Sequence, residues 1–187
     1  SSDVCSSDLT DYLPTIQQQD GKWINTVACP WMDRIAPTEK QKDGSVLCGQ
    51  VHDPLARILN GGISGNAGIF SNANDIGILA AALLNGGEYN GRRILSPLGV
   101  KTMCTVPREL TAFGRTPGWD IFSPYASNKG DLFSPNTFGH TGYTGTSIII
   151  DPDNDTAVIL LVNAVHPEDR HSIVRLRSLV ANAVAAS

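Results

Sequence analysis

The sequence predicts an α/β fold of the layered α+β type, in which an antiparallel sheet is flanked by helices. Two largely apolar, β-branched runs, 146–151 and 156–163, enclose the turn residues 152–155 and predict a β-hairpin. Nearly every position in both runs is apolar, so we expect both faces of the hairpin to be covered. Apolar residues with helical spacing at 72–85 and 168–185 provide the covering helices.

The N-terminal third is predicted to contain little regular structure. Residues 1–9 nearly repeat Ser-Ser-Asp and resemble translated adapter sequence, so we interpret them as a non-native prefix; the alternative is a natural polar tail. A short strand is predicted at 22–27 and a single turn of helix at 55–59. Four glycines between 61 and 68 predict a loop pressed against a ligand or another element, either as part of a site or as a tight crossover.

Two helices before the hairpin have recognisable starts. Asn72 is predicted to cap the helix 72–85, with Asp75 favoured in its first turn by the helix dipole. Ser96 and Pro97 are typical of the N-cap and first position of a short helix that extends to about Cys104. The buried face of the first of these helices is predicted to comprise Ile76, Leu79, Ala80, Leu83 and Leu84.

The C-terminal half contains two further predicted elements besides the hairpin. Residues 118–122 alternate in polarity and predict a strand, and 123–136 predict a loop. Pro167 is predicted to lie in the first turn of the last helix, 168–185. The apolar stripe of that helix is predicted to comprise Ile173, Leu176, Val180 and Ala183.

Composition excludes several kinds of partner. The chain has 187 residues, 41% hydrophobic and 17% charged, which is ordinary for a soluble globular protein. Its net charge of -4 provides no basic surface, so no nucleic-acid partner is expected. No apolar run approaches the roughly 18 residues that a membrane span requires, so no span is expected. The sequence carries no signal for an oligomeric state.

The cysteines and acidic turns do not predict a metal site. Cys5, Cys29, Cys48 and Cys104 contain no C-x-x-C pair, so a zinc site is not expected. Cys29 and Cys48 could form a disulfide or remain free thiols. Three further patterns are interpreted as structural: His52-Asp53 as a turn, 151–155 as a hairpin turn rather than a calcium loop, and His166 and His171 as solvent-facing.

The segment 138–146, which reads FGHTGYTGT, is the strongest candidate for a functional site. Glycines at the head of a strand allow a ligand or another backbone to approach closely. A histidine and hydroxyl groups beside that opening can bind an anion or move a proton. The structural alternative is that the segment is only the start of a strand that carries a β-bulge.

His140-Thr141-Gly142 resembles the third motif of the serine β-lactamase and penicillin-binding-protein superfamily, usually Lys-Thr-Gly, in its His-Thr-Gly variant from β-lactamase-related (class C-like) hydrolases and esterases. Asn66 departs from the histidine common in this branch, which puts a proton-transfer role at that position in doubt. Further stretches similar to this branch occur at 34–39, 49–53, 65–71, 83–87 and 139–146.

The resemblance implies a β-lactamase/transpeptidase-like fold, no cofactor and an acyl-enzyme mechanism. His140 and Thr141 would orient a substrate carboxylate or ester, and Gly142 would precede Tyr143, whose N–H would be one oxyanion donor. The family nucleophile and base occur as S-x-x-K, with a Y-x-N or S-x-N motif, and neither S-x-x-K nor Y-x-N is present here. The nearest look-alike, Tyr125-Ala126-Ser127, lies too close to His140.

We therefore expect residues 10–187 to be the C-terminal portion of a β-lactamase-related domain, an incomplete fold without turnover. The leading hypothesis is a fragment of a serine hydrolase acting on an ester, amide or β-lactam-like group of a small-molecule or peptidoglycan-like substrate. The resemblance to this family also implies that the protein is exported or lies in the bacterial cell envelope. The alternatives are a non-catalytic penicillin-binding-like module that binds peptidoglycan or a protein partner, and an independent small α/β domain with a ligand pocket at 139–146.

Overall fold

The computed structural model of the protein describes residues 10–124, 129–170 and 172–187. The prefix 1–9, the look-alike 125–127 and His171 lie outside these residues. Those described form four α-helices: α1 (Pro54–Leu59), α2 (Ala73–Leu84), α3 (Pro97–Cys104) and α4 (Val174–Ala185). They also form nine strands: β1 (Asp11–Tyr12), β2 (Thr15–Gln17), β3 (Trp23–Asn25), β4 (Ile69–Phe70), β5 (Glu88–Tyr89), β6 (Arg92–Arg93), β7 (Phe138–Thr141), β8 (Ser147–Asp151) and β9 (Thr156–Leu160).

The chain divides into two compact units. The first contains the described residues up to Asp75 together with 163–170, and the second contains the described residues of Ile76–Val162 and Ser172–Ser187. No helix in the described part of the chain is both long and apolar enough to cross a membrane.

The second unit is built on the antiparallel sheet β7-β8-β9. Side chains alternate between the two faces of a strand, so adjacent residues of β8 enter different clusters. Ile150 is fully buried with Phe138 and Ala80, whereas Ile149 packs with Val158 and Ala181. This arrangement confirms the predicted hairpin and its coverage on both faces, although β9 ends at Leu160, three residues before the predicted end of the second run.

Asp151 ends β8 and is fully buried. Its carboxylate accepts hydrogen bonds from the Ser134 hydroxyl (2.6 Å) and N–H (2.9 Å), the Asp153 N–H (3.0 Å) and the Asn154 amide (2.8 Å). Burial alone would raise the pKa of Asp151, but these hydrogen bonds outweigh it and lower the pKa to about 2. The segment 152–155 is therefore a hairpin turn held by a charged acceptor, as the sequence predicts.

Helices α2 and α3 form close to their predicted positions. The Asn72 side chain accepts from the N–H groups of Asn74 and Asp75, which confirms the cap of α2. The Ser96 hydroxyl accepts from the Gly99 N–H, and Pro97 is the first residue of α3. The predicted face of α2 is wrong at Leu79, whose side chain is exposed.

Helix α4 differs from its prediction in both start and phase. The Pro167 carbonyl accepts from the Lys40 N–H (2.8 Å) within the first unit, and the helix begins instead at Val174. Leu176 and Ala183 of the predicted stripe are exposed, whereas Arg177 and Ala181 are buried. The face that packs is thus set by an arginine, which a search for apolar periodicity counts as polar.

The predicted strand at 118–122 is wrong. Only Asp120 makes bridges, to Arg115 and to Gly139. The N–H groups of Ile121 and Phe122 both donate to the Gly114 carbonyl, at 3.0 and 3.1 Å. Two successive donors on one acceptor form a turn, because neighbouring groups of a ladder point to opposite sides.

The first unit consists of short ladders and loops around α1. Strand β2 pairs with β3, within the predicted 22–27, and β1 pairs with β4. Asp53 caps α1, which includes the predicted helical turn, by accepting from the Ala56 N–H (2.7 Å). Gly62 has φ of +87°, and a Cβ there would lie 2.8 Å from the Leu13 carbonyl oxygen. The glycine loop is therefore pressed against another segment of the chain.

The cysteines and two histidines of the first unit make only structural contacts. Cys29 and Cys48 are free thiols, as is Cys104 in the second unit. Burial raises the pKa of the Cys48 thiol and raises that of Cys104 to about 11. His52 pairs with Glu39 at 3.1 Å, and the exposed His166 lies 2.8 Å from the Thr38 carbonyl.

Candidate functional site

The predicted site residues lie on β7 and on the turn that joins it to β8. Strand register places Gly139 opposite Ile149, His140 opposite Ile148 and Thr141 opposite Ser147. A Cβ at Gly139 would lie 2.3 Å from the Ile148 carbonyl oxygen, so no other residue fits this close approach. The glycine that the sequence placed at the head of the segment is thus required by the neighbouring strand.

His140 is exposed at the end of β7. Its Nδ1 lies 3.0 Å from the Thr141 carbonyl oxygen. A carbonyl can only accept, so Nδ1 carries a proton; Nε2 is then an acceptor in the neutral ring and a donor in the imidazolium. Nε2 is therefore the ring nitrogen that His140 offers to a group outside the strand.

The turn between β7 and β8 is closed by its own backbone. The Gly142 N–H donates to the Thr146 carbonyl (2.8 Å), and the Gly145 N–H donates to the Gly142 carbonyl (3.1 Å). A Cβ at Gly142 would lie 2.4 Å from the Thr146 hydroxyl oxygen. Tyr143 lies within this turn, and 75% of its side chain is exposed. Thr141 and Gly142 are half-buried beside it.

Arg177 of α4 binds this turn from the interior of the second unit. Its Nη2 donates to the carbonyl oxygens of Gly142 (2.8 Å) and Thr146 (3.0 Å). The residue is 7% exposed, and burial lowers the pKa of its guanidinium. Sequence reasoning missed this residue, because its contacts join positions more than thirty residues apart.

The outer edge of β7 is supported by the segment around Asp120. Gly139 and Asp120 exchange backbone hydrogen bonds of 3.0 and 2.8 Å. The Asp120 carboxylate, itself buried, accepts from the Ser123 hydroxyl at 2.7 Å. Lys129 donates to the Ile121 carbonyl (2.8 Å) and the Thr137 carbonyl (3.0 Å), and burial lowers its pKa. The sequence indicated this segment only through the strand predicted at 118–122, which does not form.

The structure therefore brings His140, Thr141, Gly142 and Tyr143 together on one strand end and turn. Within residues 10–124, 129–170 and 172–187, no group of three His, Cys, Asp or Glu side chains is arranged to hold a metal ion. The geometry provides an exposed imidazole, a neighbouring hydroxyl and the backbone of the turn. Such a set can bind and orient an anionic or carbonyl-containing ligand.

Comparison with known proteins identifies relatives. The Beta-lactamase family matches residues 28–182. The chain is 42% identical over 124 residues to a protein of Escherichia coli named as a D-alanyl-D-alanine carboxypeptidase, and 40% identical over 124 residues to one of Salmonella gallinarum with the same name. Each alignment covers 65% of this chain and 28% of the relative, so the chain spans well under half the length of these relatives.

One solved structure is also similar. It is the crystal structure of a family VIII carboxylesterase, with a TM-score of 0.44 and 23% sequence identity. The similarity covers 64% of this chain and 33% of the esterase.

Proposed function

Because the chain belongs to the β-lactamase family, whose match covers most of its length, we propose that His140, Thr141, Gly142 and Tyr143 form one wall of a serine-hydrolase site. The observation that carries this proposal is the end of β7. There an exposed imidazole stands beside a tight turn that presents Tyr143. Family membership supports a hydrolase with the mixed α/β fold of the β-lactamases and transpeptidases.

Each residue of the wall has a distinct part in the proposed acyl transfer. The Tyr143 N–H stabilises the oxyanion of the tetrahedral intermediate, since a fixed donor acts most strongly on charge that develops in the transition state. The Thr141 hydroxyl donates to the carboxylate or carbonyl of the substrate. His140 donates to the same group from Nε2 in its imidazolium form, in which both ring nitrogens carry a proton. Gly142 keeps the turn free of a side chain where the substrate approaches.

The nucleophile and its base are proposed to come from polypeptide outside this chain, since no S-x-x-K or Y-x-N occurs in it. A serine hydroxyl needs a neighbouring base before it attacks a carbonyl. The 187-residue chain alone is therefore expected to show no turnover. Covalent labelling of it by a fluorophosphonate probe would contradict this part of the proposal.

The relatives' name supports a first choice of substrate. The bond between two D-alanine residues at the end of a peptide combines an amide with a terminal carboxylate, which suits the anion-binding character of His140 and Thr141. The test is turnover of a D-alanyl-D-alanine peptide and a simple ester by the complete gene product. His140→Ala and Thr141→Val should each lower kcat/KM by about 10²-fold, whereas the control His166→Gln should not.

A non-catalytic module that binds peptidoglycan or a protein partner is the second candidate. The observation that favours it is the same absence of S-x-x-K and Y-x-N. The gene sequence preceding residue 10 separates the two candidates. An S-x-x-K followed by Y-x-N there supports the hydrolase, and a reading frame without them, with peptidoglycan retained by the protein in a pull-down, supports the binding module.

A further inference from the structure

Arg177 is buried at a position where α4 otherwise packs with small and apolar side chains. Ala181, one turn further along α4, is fully buried against β8 and β9. Placing a guanidinium in such surroundings is costly unless its donors are satisfied. Two of its hydrogen bonds go to one turn, at the carbonyls of Gly142 and Thr146. The charge is thus directed at the turn beside His140.

The two carbonyls that Arg177 binds are those that close the turn. The Thr146 carbonyl also accepts from the Gly142 N–H, and the Gly142 carbonyl also accepts from the Gly145 N–H. Losing the guanidinium would leave these backbone bonds, but it would remove the charged donor that ties both ends of the turn to α4. The turn would then keep its fold with less restraint on its orientation.

The carbonyl of Gly142 and the N–H of Tyr143 belong to one peptide group. This group is trans and planar, so its C=O and N–H point in opposite directions. With the oxygen directed at Arg177, the hydrogen is directed away from α4. A charge-assisted bond to the oxygen also polarises the group and strengthens the N–H as a donor.

We propose that Arg177 is a positioning residue: by binding the Gly142 and Thr146 carbonyls, its guanidinium fixes and polarises the peptide group that presents the Tyr143 N–H to the oxyanion. This role rests on the proposed function of the site. Arg177 itself touches no substrate and acts through the backbone of the turn.

Kinetics of the complete gene product provide the first test. For ester hydrolysis, Arg177→Met should lower kcat by about 10- to 100-fold and leave KM nearly unchanged, because an oxyanion donor acts in the transition state. Arg177→Lys should recover part of the loss, since an ammonium keeps the charge but stands at the end of a shorter side chain than the Nη2 that binds both carbonyls. Arg175→Met, at an exposed position on the same helix, is the matched control and should retain full activity.

A readout independent of turnover separates this inference from the proposed function. The Tyr143 amide proton should move upfield in the NMR spectrum of Arg177→Lys and Arg177→Met, as its polarisation is lost, and stay in place in Arg175→Met. If the wild-type protein is inactive but the Tyr143 amide still shifts in the Arg177 variants, the proposed hydrolase function is contradicted and the positioning of the peptide group by Arg177 is supported. Should the methionine variant not fold, the lysine variant carries both measurements. Wild-type kcat in a folded Arg177 variant, or an unmoved Tyr143 amide, would overturn the inference.

Discussion

Asp151 ends strand β8 without solvent contact and still favours its charged form. A carboxylate moved from water into a protein interior loses hydration, and only hydrogen bonds or an opposite charge can offset that loss. Ser134 provides two of the bonds, and Asp153 and Asn154 provide one each. The side chain therefore connects the strand end, the hairpin turn and the preceding loop through a single acceptor.

Because the Asp151 carboxylate is protonated in acid, the free energy of unfolding depends on pH. The pKa of Asp151 is about 2 in the folded chain against an ordinary 3.8, so its contribution is fully present above about pH 4 and is lost as pH falls toward 2. Urea unfolding across this range should show a loss of about 2 kcal/mol for the wild type that is missing from Asp151→Asn. Asp155→Asn, in the same turn but exposed, should retain the wild-type pH dependence. An unchanged pH profile in Asp151→Asn would contradict this assignment.

Two glycines of the candidate site should differ in their tolerance of alanine. At Gly139 a Cβ would meet a backbone oxygen that cannot move, whereas at Gly142 it would meet the rotatable hydroxyl of Thr146. We expect Gly139→Ala to cost about 3 kcal/mol and Gly142→Ala about 1 kcal/mol in unfolding free energy. Denaturant titration measures both, and Gly118→Ala, with only an ordinary contact to Met103, is the control. Equal losses at Gly139 and Gly142 would argue against this strand register.

At the level of elements, sequence reasoning succeeds where local pattern decides structure. The hairpin β8-β9 follows from two β-branched runs, and the starts of α2 and α3 follow from capping residues. It fails where a distant contact decides: the phase of α4 depends on Arg177, and the segment 118–122 is turned by the Gly114 carbonyl. The candidate site behaves likewise, since its motif is visible in the sequence but the residues that support it are not.

The phase of α4 can be measured directly. Ala181 is fully buried and Ala183 is exposed, although the apolar stripe of the sequence predicts Ala183 inside. Ala181→Leu should lower the unfolding free energy by about 2 kcal/mol through overpacking against Ile149 and Val158, and Ala183→Leu should change it by less than about 0.5 kcal/mol. Thermal and urea unfolding of the two variants give the comparison. The reverse order would restore the phase predicted from the sequence.

At the scale of the whole molecule, the short helix α1 exposes three large apolar side chains. Leu55, Ile58 and Leu59 are 64, 56 and 73% exposed on a helix of six residues. Their spacing of three and four places them on one side, where they form a contiguous patch. Contiguous apolar surface is the feature that hydrophobic dyes and other proteins bind.

The native chain should therefore bind a hydrophobic dye such as ANS. Replacing Leu55, Ile58 and Leu59 together by glutamine should remove most of the fluorescence enhancement while leaving the circular dichroism spectrum intact, because these side chains contribute little to the core. Fluorescence titration at neutral pH measures the effect.

The matched control changes three exposed leucines from separate parts of the chain, namely Leu98 of α3, Leu132 of the loop before β7 and Leu179 of α4. Their replacement by glutamine removes comparable apolar area without removing a patch, so the fluorescence should fall less. An equal fall in both triple variants would mean that dye binding reflects total apolar exposure rather than the face of α1.

The position of β8 inside the second unit predicts how its amide hydrogens exchange with solvent. It is paired on both edges and packed on both faces, so exchange of the Ile149 and Ile150 amide hydrogens with solvent should require unfolding of the second unit. The turn 142–146 can open after release of only a few bonds, among them those of Arg177. Its amides should exchange by a separate and much faster opening. One wall of the candidate site can thus fluctuate on its own timescale while the sheet beneath it stays closed.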